Sequence, residues 1–305
     1  MTQKRMFCLV LAVFFIAPIS VFGASFDTLV VFGDSLSDNG NLYAADPLSV
    51  PSAYYWEGRV SNGPVWVEYL AGDLLNCALV DNAYAGAETS GEVPPGLLQQ
   101  VNLYAATADL PHNALFVVWI GANDILSESG VTEESLADSI SNIGTALQKL
   151  ADFGAEDILI LNLPNMGSLP LSLDSQTTGL FLKAASISFN SSLSDTVDHF
   201  AGDNPGIAVY KLDIYSLFER ILANPASFGF TNVTDVLLDP AKPYNFDNTE
   251  GYVFWDDIHP TTEAHVEIAE QAYELLNSGS DNSGGYGDDG DDDGGCFIST
   301  VSDFN

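Results

Sequence analysis

Four short runs of uninterrupted apolar residues narrow the folding options of this chain more than any other feature: TLVVF at 28–32, ALFVVWI at 114–120, DILIL at 157–161 and GIAVY at 206–210. A strand with one face in water alternates apolar and polar residues. Continuous β-branched and aromatic runs instead fit strands covered on both faces, as in a parallel sheet. A weaker strand fits at 78–83, and helical patterns occupy about 64–75, 96–109, 132–153, 175–201 and 261–276, the last with Ile268, Ala272, Leu275 and Leu276 on one face. The order βαβαβαβαβα predicts an α/β fold, a three-layer α/β/α sandwich around a mainly parallel five-stranded sheet. No internal repeat is present.

In such a sheet, right-handed crossovers make the carboxyl ends of the strands the natural place for a site. Three of those ends are polar: Gly33-Asp34-Ser35, Gly121-Ala122-Asn123-Asp124 and Asn162-Leu163-Pro164-Asn165. They are expected to converge. Ser35 would then stand at a rim where distant parts of the chain meet.

A lone serine is a poor nucleophile near neutral pH, and needs a base, a group to orient that base and donors for the developing oxyanion. Of the four histidines, only His259 stands in a motif, FWDDIHPTTEAH, with Asp256 three residues before it. Across a tight turn that spacing lets a carboxylate reach the imidazole Nδ1 and leave Nε2 free for a serine. Asp257 is the nearest rival for the orienting role, and its one-residue shift should point it elsewhere. Pro260 stiffens the turn and Thr261 can cap the helix that follows. His265 lies on the packing side of that helix, and His112 and His199 carry no assignment. No metal-ligand spacing appears between 24 and 277, so no metal or cofactor is expected.

Here the chain resembles the GDSL lipases and esterases of the SGNH hydrolase superfamily, a flavodoxin-like fold. GDSLSDNGN at 33–41 is similar to the family's first block and GRVSNGPVWVEYLA at 58–71 to the stretch after it. NAYAGAET at 82–89 is similar to the second block, IGANDI at 120–125 to the third and WDDIHPT at 255–261 to the last. The resemblance implies Ser35 as nucleophile, His259 as general base and acid, and Asp256 as its orienting carboxylate. It also implies an oxyanion hole made by the backbone N–H groups of Ser35 and Gly86 and the Asn123 side chain. Where the family usually has two adjacent glycines in its second block, this chain has Ala85-Gly86, which keeps the implied donor.

The implied activity is hydrolysis of carboxylic esters through an acyl-enzyme, on a small-molecule or lipid ester. An acyltransferase using the same residues, or a non-catalytic surface binding protein on a hydrolase fold, are the alternatives. Tyr54, Tyr55 and Trp56 either overhang the site or form a satellite core cluster.

With 42 acidic against 8 basic residues, the formal charge of −34 repels polyanions and excludes nucleic acid as a partner. The first 23 residues read as an export signal: Lys4 and Arg5, an apolar run from Phe7 to Ile16, Pro18, then cleavage after Gly23. Residues 24–277 read as the hydrolase domain and 278–305 as an acidic Gly/Asp-rich tail. Export to the periplasm, cell surface or medium follows. Cys8 lacks the small residues that precede a lipid-modified cysteine, and Cys77 reads as a free buried thiol. Asp289, Asp291 and Asp293 begin a calcium-loop pattern that Thr300 fails to close. The terminal GGCFIST resembles a short Cys-Phe-Ile box of exported bacterial proteins, which would make Cys296 a processing or surface-attachment point.

Overall fold

The computed structural model describes residues 25–50, 53–126, 131–239, 241, 246 and 251–278. The expected signal peptide, Cys8, Cys296 and the acidic tail from 279 onward lie outside the described residues, while Ser278, expected to open the tail, is the last residue of the final helix. Five parallel strands form the central sheet in the order β2-β1-β3-β4-β5: β1 (Thr28–Gly33), β2 (Ala78–Asp81), β3 (Ala114–Trp119), β4 (Asp157–Leu161) and β5 (Ala208–Leu212). All six residues of β3 are buried. Because alternate side chains leave a strand on opposite faces, this burial requires cover on both.

The helices, in chain order, are α1 (Asn41–Ala45), α2 (Trp66–Tyr69), α3 (Leu97–Thr107), α4 (Ala122–Leu126), α5 (Glu133–Phe153), α6 (Pro170–Leu173), α7 (Gln176–Asp203), α8 (Ile214–Ala223) and α9 (Thr262–Ser278). Helix α3 packs on α5 and α5 on α7, while α2 packs on α9. The α/β sandwich expected from the apolar runs is therefore the observed fold. Helix boundaries follow local chemistry. Thr132 caps α5 by accepting the Ser135 N–H at 3.0 Å, and Gly154 ends it with φ +108°, a left-handed conformation that glycine adopts without a Cβ penalty.

Two expectations shift in detail. The fifth strand runs over 208–212 and not 206–210: a turn closed by the Ile207 N–H to the Asn204 carbonyl occupies the first two positions. As an edge strand, β5 tolerates Lys211, which reaches Asp198 on α7 at 2.7 Å. The expected helix at 64–75 begins as α2 and continues as a π-helical segment, Leu70–Leu75. A small parallel pair, β6 (Asn232–Val236) and β7 (Tyr252–Phe254), also forms, and β7 leads into the turn that carries Asp256 and His259.

Core packing fixes the rim. Trp66 and Trp119 stack edge to face, 5.9 Å between centroids. The Trp66 indole N–H reaches Ser37 at 3.1 Å and that of Trp119 the Asn162 carbonyl at 3.1 Å. The ends of β1, β3 and β4 are thereby tied to a buried aromatic pair.

Candidate active site

Beyond β1 the chain turns sharply. The Ser37 and Asp38 N–H groups both return to the Asp34 carbonyl, and the Leu36 N–H goes to the Asp34 carboxylate. Below the turn, Gln100 of α3 holds Gly33 at both ends: it accepts the Gly33 N–H at 3.0 Å and donates to the Gly33 carbonyl at 2.9 Å. A Cβ on Gly33 would stand 2.5 Å from the Trp119 carbonyl, so glycine is required where β1 passes β3. This scaffold presents Ser35.

More than two hundred residues later, the turn from Trp255 to His259 is closed by the Trp255 N–H to the His259 carbonyl at 2.8 Å. Within it the Asp256 Oδ1 accepts the backbone N–H groups of Ile258 and His259, at 2.9 and 2.8 Å. Both Asp256 oxygens lie 2.9 Å from His259 Nδ1, and His259 Nε2 lies 2.8 Å from Ser35 Oγ. The structure thus brings Ser35, His259 and Asp256 into one continuous hydrogen-bonded chain. Asp257 is exposed and has no bond to the imidazole; its backbone carbonyl instead accepts the Leu171 N–H of α6.

Burial alone would push the His259 imidazole down, but the charge and hydrogen bond of Asp256, with the charge of Asp34, outweigh it and raise its pKa. Burial pushes Asp256 up; the imidazole charge, its hydrogen bond and the two backbone donors reverse this and bring the carboxyl down to about 2. Buried Asp34 is pushed up to about 7 by desolvation, against the Leu36 N–H and the His259 charge.

The remaining expected donors face the same place. The backbone N–H groups of Ser35 and Gly86 have no acceptor among the described residues. Gly86 is exposed to the cleft with φ +78°. Asn123, at the start of α4, gives one amide hydrogen to the Ala87 carbonyl at 2.8 Å, which leaves its second for the cleft. Its neighbour Asp124 accepts both the N–H and the hydroxyl of Thr89 and the hydroxyl of Ser139. On the other flank, Asp38 accepts the Ala85 N–H at 2.8 Å along with those of Gly40, Asn41 and Leu42. The Gly86 loop is therefore clamped at Ala85, Ala87 and Thr89.

Ser35 stands between two clefts. One, about 520 Å³ including its open mouth, is apolar, with Trp119, Leu126, Met166, Leu169, Phe218 and Ile258 in its wall. The other, about 680 Å³ with its open mouth included, is bordered by Leu42, Tyr55, Val60, Ala85 and Gly86. Ser35, Asn123, Ile258 and His259 border both.

Several positioning residues escaped the sequence reading. Gln100 carries a usable signal, a polar residue on the Leu97, Val101, Tyr104 face of α3, all of them buried. Asn62 accepts the Thr262 N–H at 2.8 Å and caps α9 more closely than Thr261, whose hydroxyl is 3.5 Å from the Ala264 N–H. His265 is fully packed, as expected; burial, with the nearby His259 charge, pushes it down to about 3. Cys77 is free but half-buried, and not fully enclosed as the apolar LLNCALV suggests. Among the described residues no cluster of His, Cys, Asp or Glu could hold a metal ion, and no helix is long and apolar enough to cross a membrane.

Residues 29–272 match the family model described as GDSL-like Lipase/Acylhydrolase. The chain is 30% identical over 273 residues to the thermolabile hemolysin of Vibrio parahaemolyticus, covering 82% of this chain and 64% of that protein. It is 27% identical over 309 residues to the phosphatidylcholine-sterol acyltransferase of Aeromonas hydrophila, covering 83% and 91%. To the acetylesterase of Thermothelomyces thermophilus it is 27% identical over 281 residues, covering 83% and 89%. The match thus spans a little under two thirds of the hemolysin's length.

Proposed function

The chain belongs to the GDSL-like lipase/acylhydrolase family, and on that premise we propose that it is an exported carboxylic ester hydrolase working through a serine acyl-enzyme. Ser35 Oγ attacks the ester carbonyl while His259 Nε2 takes its proton. Asp256 keeps the other imidazole proton on Nδ1 and stabilises the imidazolium that forms. The N–H groups of Ser35 and Gly86 and the free amide hydrogen of Asn123 receive the oxyanion. Collapse of the tetrahedral intermediate expels the alcohol, protonated by His259. Water, deprotonated by the same imidazole, then releases the acid and restores Ser35.

The observation that supports this reading is the unbroken contact from Ser35 Oγ through His259 to Asp256, 2.8 and 2.9 Å. The apolar lining of the first, narrower cleft suits a short acyl group and the wider second cleft the alcohol. Residues 24–277 form the hydrolase domain in this proposal, after a cleaved leader of 23 residues and before an acidic tail through which the protein could be held at a cell surface. An acyltransferase reading is favoured by the likeness to the named acyltransferase and by the room the second cleft leaves for an acceptor alcohol.

A chain-length series of p-nitrophenyl esters, with and without added alcohol, tests the proposal. Turnover is expected, and products divided between free acid and new ester measure hydrolysis against transfer. Because the base must be neutral, the rate rises with pH through the His259 pKa. Since that pKa is raised, the acid limb of the profile lies above the ordinary histidine value of about 6.5. Absence of turnover across the series would overturn the proposal.

A further inference from the structure

The sequence leaves Tyr55 with two readings, a residue over the site or part of a satellite core. The structure gives its ring and its hydroxyl different surroundings. The ring packs against a small buried group of Val50, Val60 and Ala85, beneath the Gly86 loop. The hydroxyl donates to Asp256 Oδ2 at 3.0 Å, across 201 residues of sequence.

The two carboxylate oxygens of Asp256 are held differently. Oδ1 accepts two N–H groups from its own turn, which fix the carboxylate relative to that turn but not relative to the rest of the protein. Tyr55 supplies the bond from outside to Oδ2. Neighbouring contacts repeat the pattern: Ser61 donates to the Pro260 carbonyl at 2.9 Å and Asn62 accepts the Thr262 N–H at 2.8 Å. The segment is itself closed by the Trp56 N–H to the Ser61 carbonyl at 3.0 Å. We propose that Tyr55 is a positioning residue of the hydrolytic site, whose hydroxyl ties the Asp256 carboxylate, and with it the turn that carries His259, to the rest of the domain and tempers its negative charge toward His259. This deepens the function proposed above and rests on it.

The hydroxyl keeps its proton throughout the working range, because burial, then the charge and hydrogen bond of Asp256 and the charge of Asp257, push its pKa well above the ordinary tyrosine value. Among the described residues, the charged or titratable groups that face His259 are Asp256, Asp34 and His265. Without the Tyr55 donor, the Asp256 charge falls more fully on the imidazole. The imidazolium is then better stabilised, and the acid limb moves to higher pH. The turn that carries Asp256 and His259 is also less firmly tied to the domain, so the base is less often aligned with Ser35 and kcat falls.

The experiment compares Tyr55→Phe with wild type, Ser35→Ala and the neighbouring exposed Tyr54→Phe, using full-length protein and a p-nitrophenyl ester between pH 5 and 9. Phenylalanine keeps the ring in its packing group, so the fold should persist and the thermal midpoint fall only by the share of the one lost hydrogen bond. Tyr55→Phe is expected to lower kcat by about 3- to 10-fold, a part of what one hydrogen bond to a charged group is worth, because Asp256 keeps its two backbone donors. KM should stay near wild type and the acid limb should move upward, while Tyr54→Phe behaves as wild type. Wild-type kcat and acid limb in Tyr55→Phe would overturn the proposal. So would a raised KM alone, which marks a substrate contact in the second cleft, or a lowered midpoint with unchanged kcat per folded molecule, which marks packing only. Wild-type turnover by Ser35→Ala would instead reject the underlying site.

Discussion

Replacing Ser35 with alanine is expected to lower kcat for ester hydrolysis by about 10⁵-fold or more while leaving the fold intact. The substitution removes one hydroxyl from a turn that is otherwise held by backbone and neighbours: Asp34 accepts the Leu36, Ser37 and Asp38 N–H groups, and Gln100 grips Gly33 from below. Ser35 makes its side-chain bond to His259. Loss of that bond beside an open cleft costs about 1 kcal/mol of stability or less. KM should change little, since the clefts and oxyanion donors remain. Steady-state kinetics with a thermal unfolding control measures both parts, and wild-type kcat in the variant would reject Ser35 as the nucleophile.

Replacing Asp256 with asparagine should cost about 10⁴-fold in kcat, the scale expected when a base is held in the wrong tautomer. The backbone donors decide how the new amide sits. Oδ1 receives two backbone N–H groups, whereas the Tyr55 hydroxyl at Oδ2 can rotate to accept, so the amide oxygen stays at Oδ1 and the NH₂ takes the place of Oδ2. That NH₂ faces His259 Nδ1 and donates to it. The imidazole proton then moves to Nε2, pointing at Ser35 Oγ, where an acceptor is required. Losing the carboxylate charge also removes the chief influence that raises His259 against its burial, so the residual activity should have its acid limb at lower pH than wild type. A loss under about tenfold, or an unmoved limb, would mean that Asp256 does not orient the base.

The sheet was legible because its inner strands β1, β3 and β4 are buried on both faces, which forces continuous runs such as LFVVW into the sequence. Edge strand β5 was placed two residues early for the converse reason: half-exposed, it admits Lys211, and its apolar pattern is too weak to mark where the turn at Asn204 ends. Helix α8 was missed although its apolar face buries Ile214, Leu217, Phe218 and Ile221. It follows β5 after a single residue, Asp213, which caps it through the Ser216 N–H, so it leaves no loop signature between the two.

At the candidate site, the grouping of Ser35, Asp256 and His259 was readable because the proposed chemistry demands particular residue types in short motifs, GDS and DxxH. What holds them was less so. Tyr55, Gln100, Asn62 and Asp124 act across long sequence separations, by contacts that only the folded sheet creates. Asp124 stood in a recognisable GAND segment, yet nothing in that segment says that its carboxylate holds Thr89.

Labelling with an active-site fluorophosphonate, followed by intact mass and peptide mapping, tests the shared proton between Ser35 and His259 most directly, since the reagent, losing fluoride, phosphonylates a hydroxyl whose proton a neighbouring base removes. One adduct per chain on Ser35, formed faster as pH rises through the acid limb and absent from Ser35→Ala, is the predicted result. A folded wild-type protein that takes no adduct, or takes it on another residue, would contradict the account.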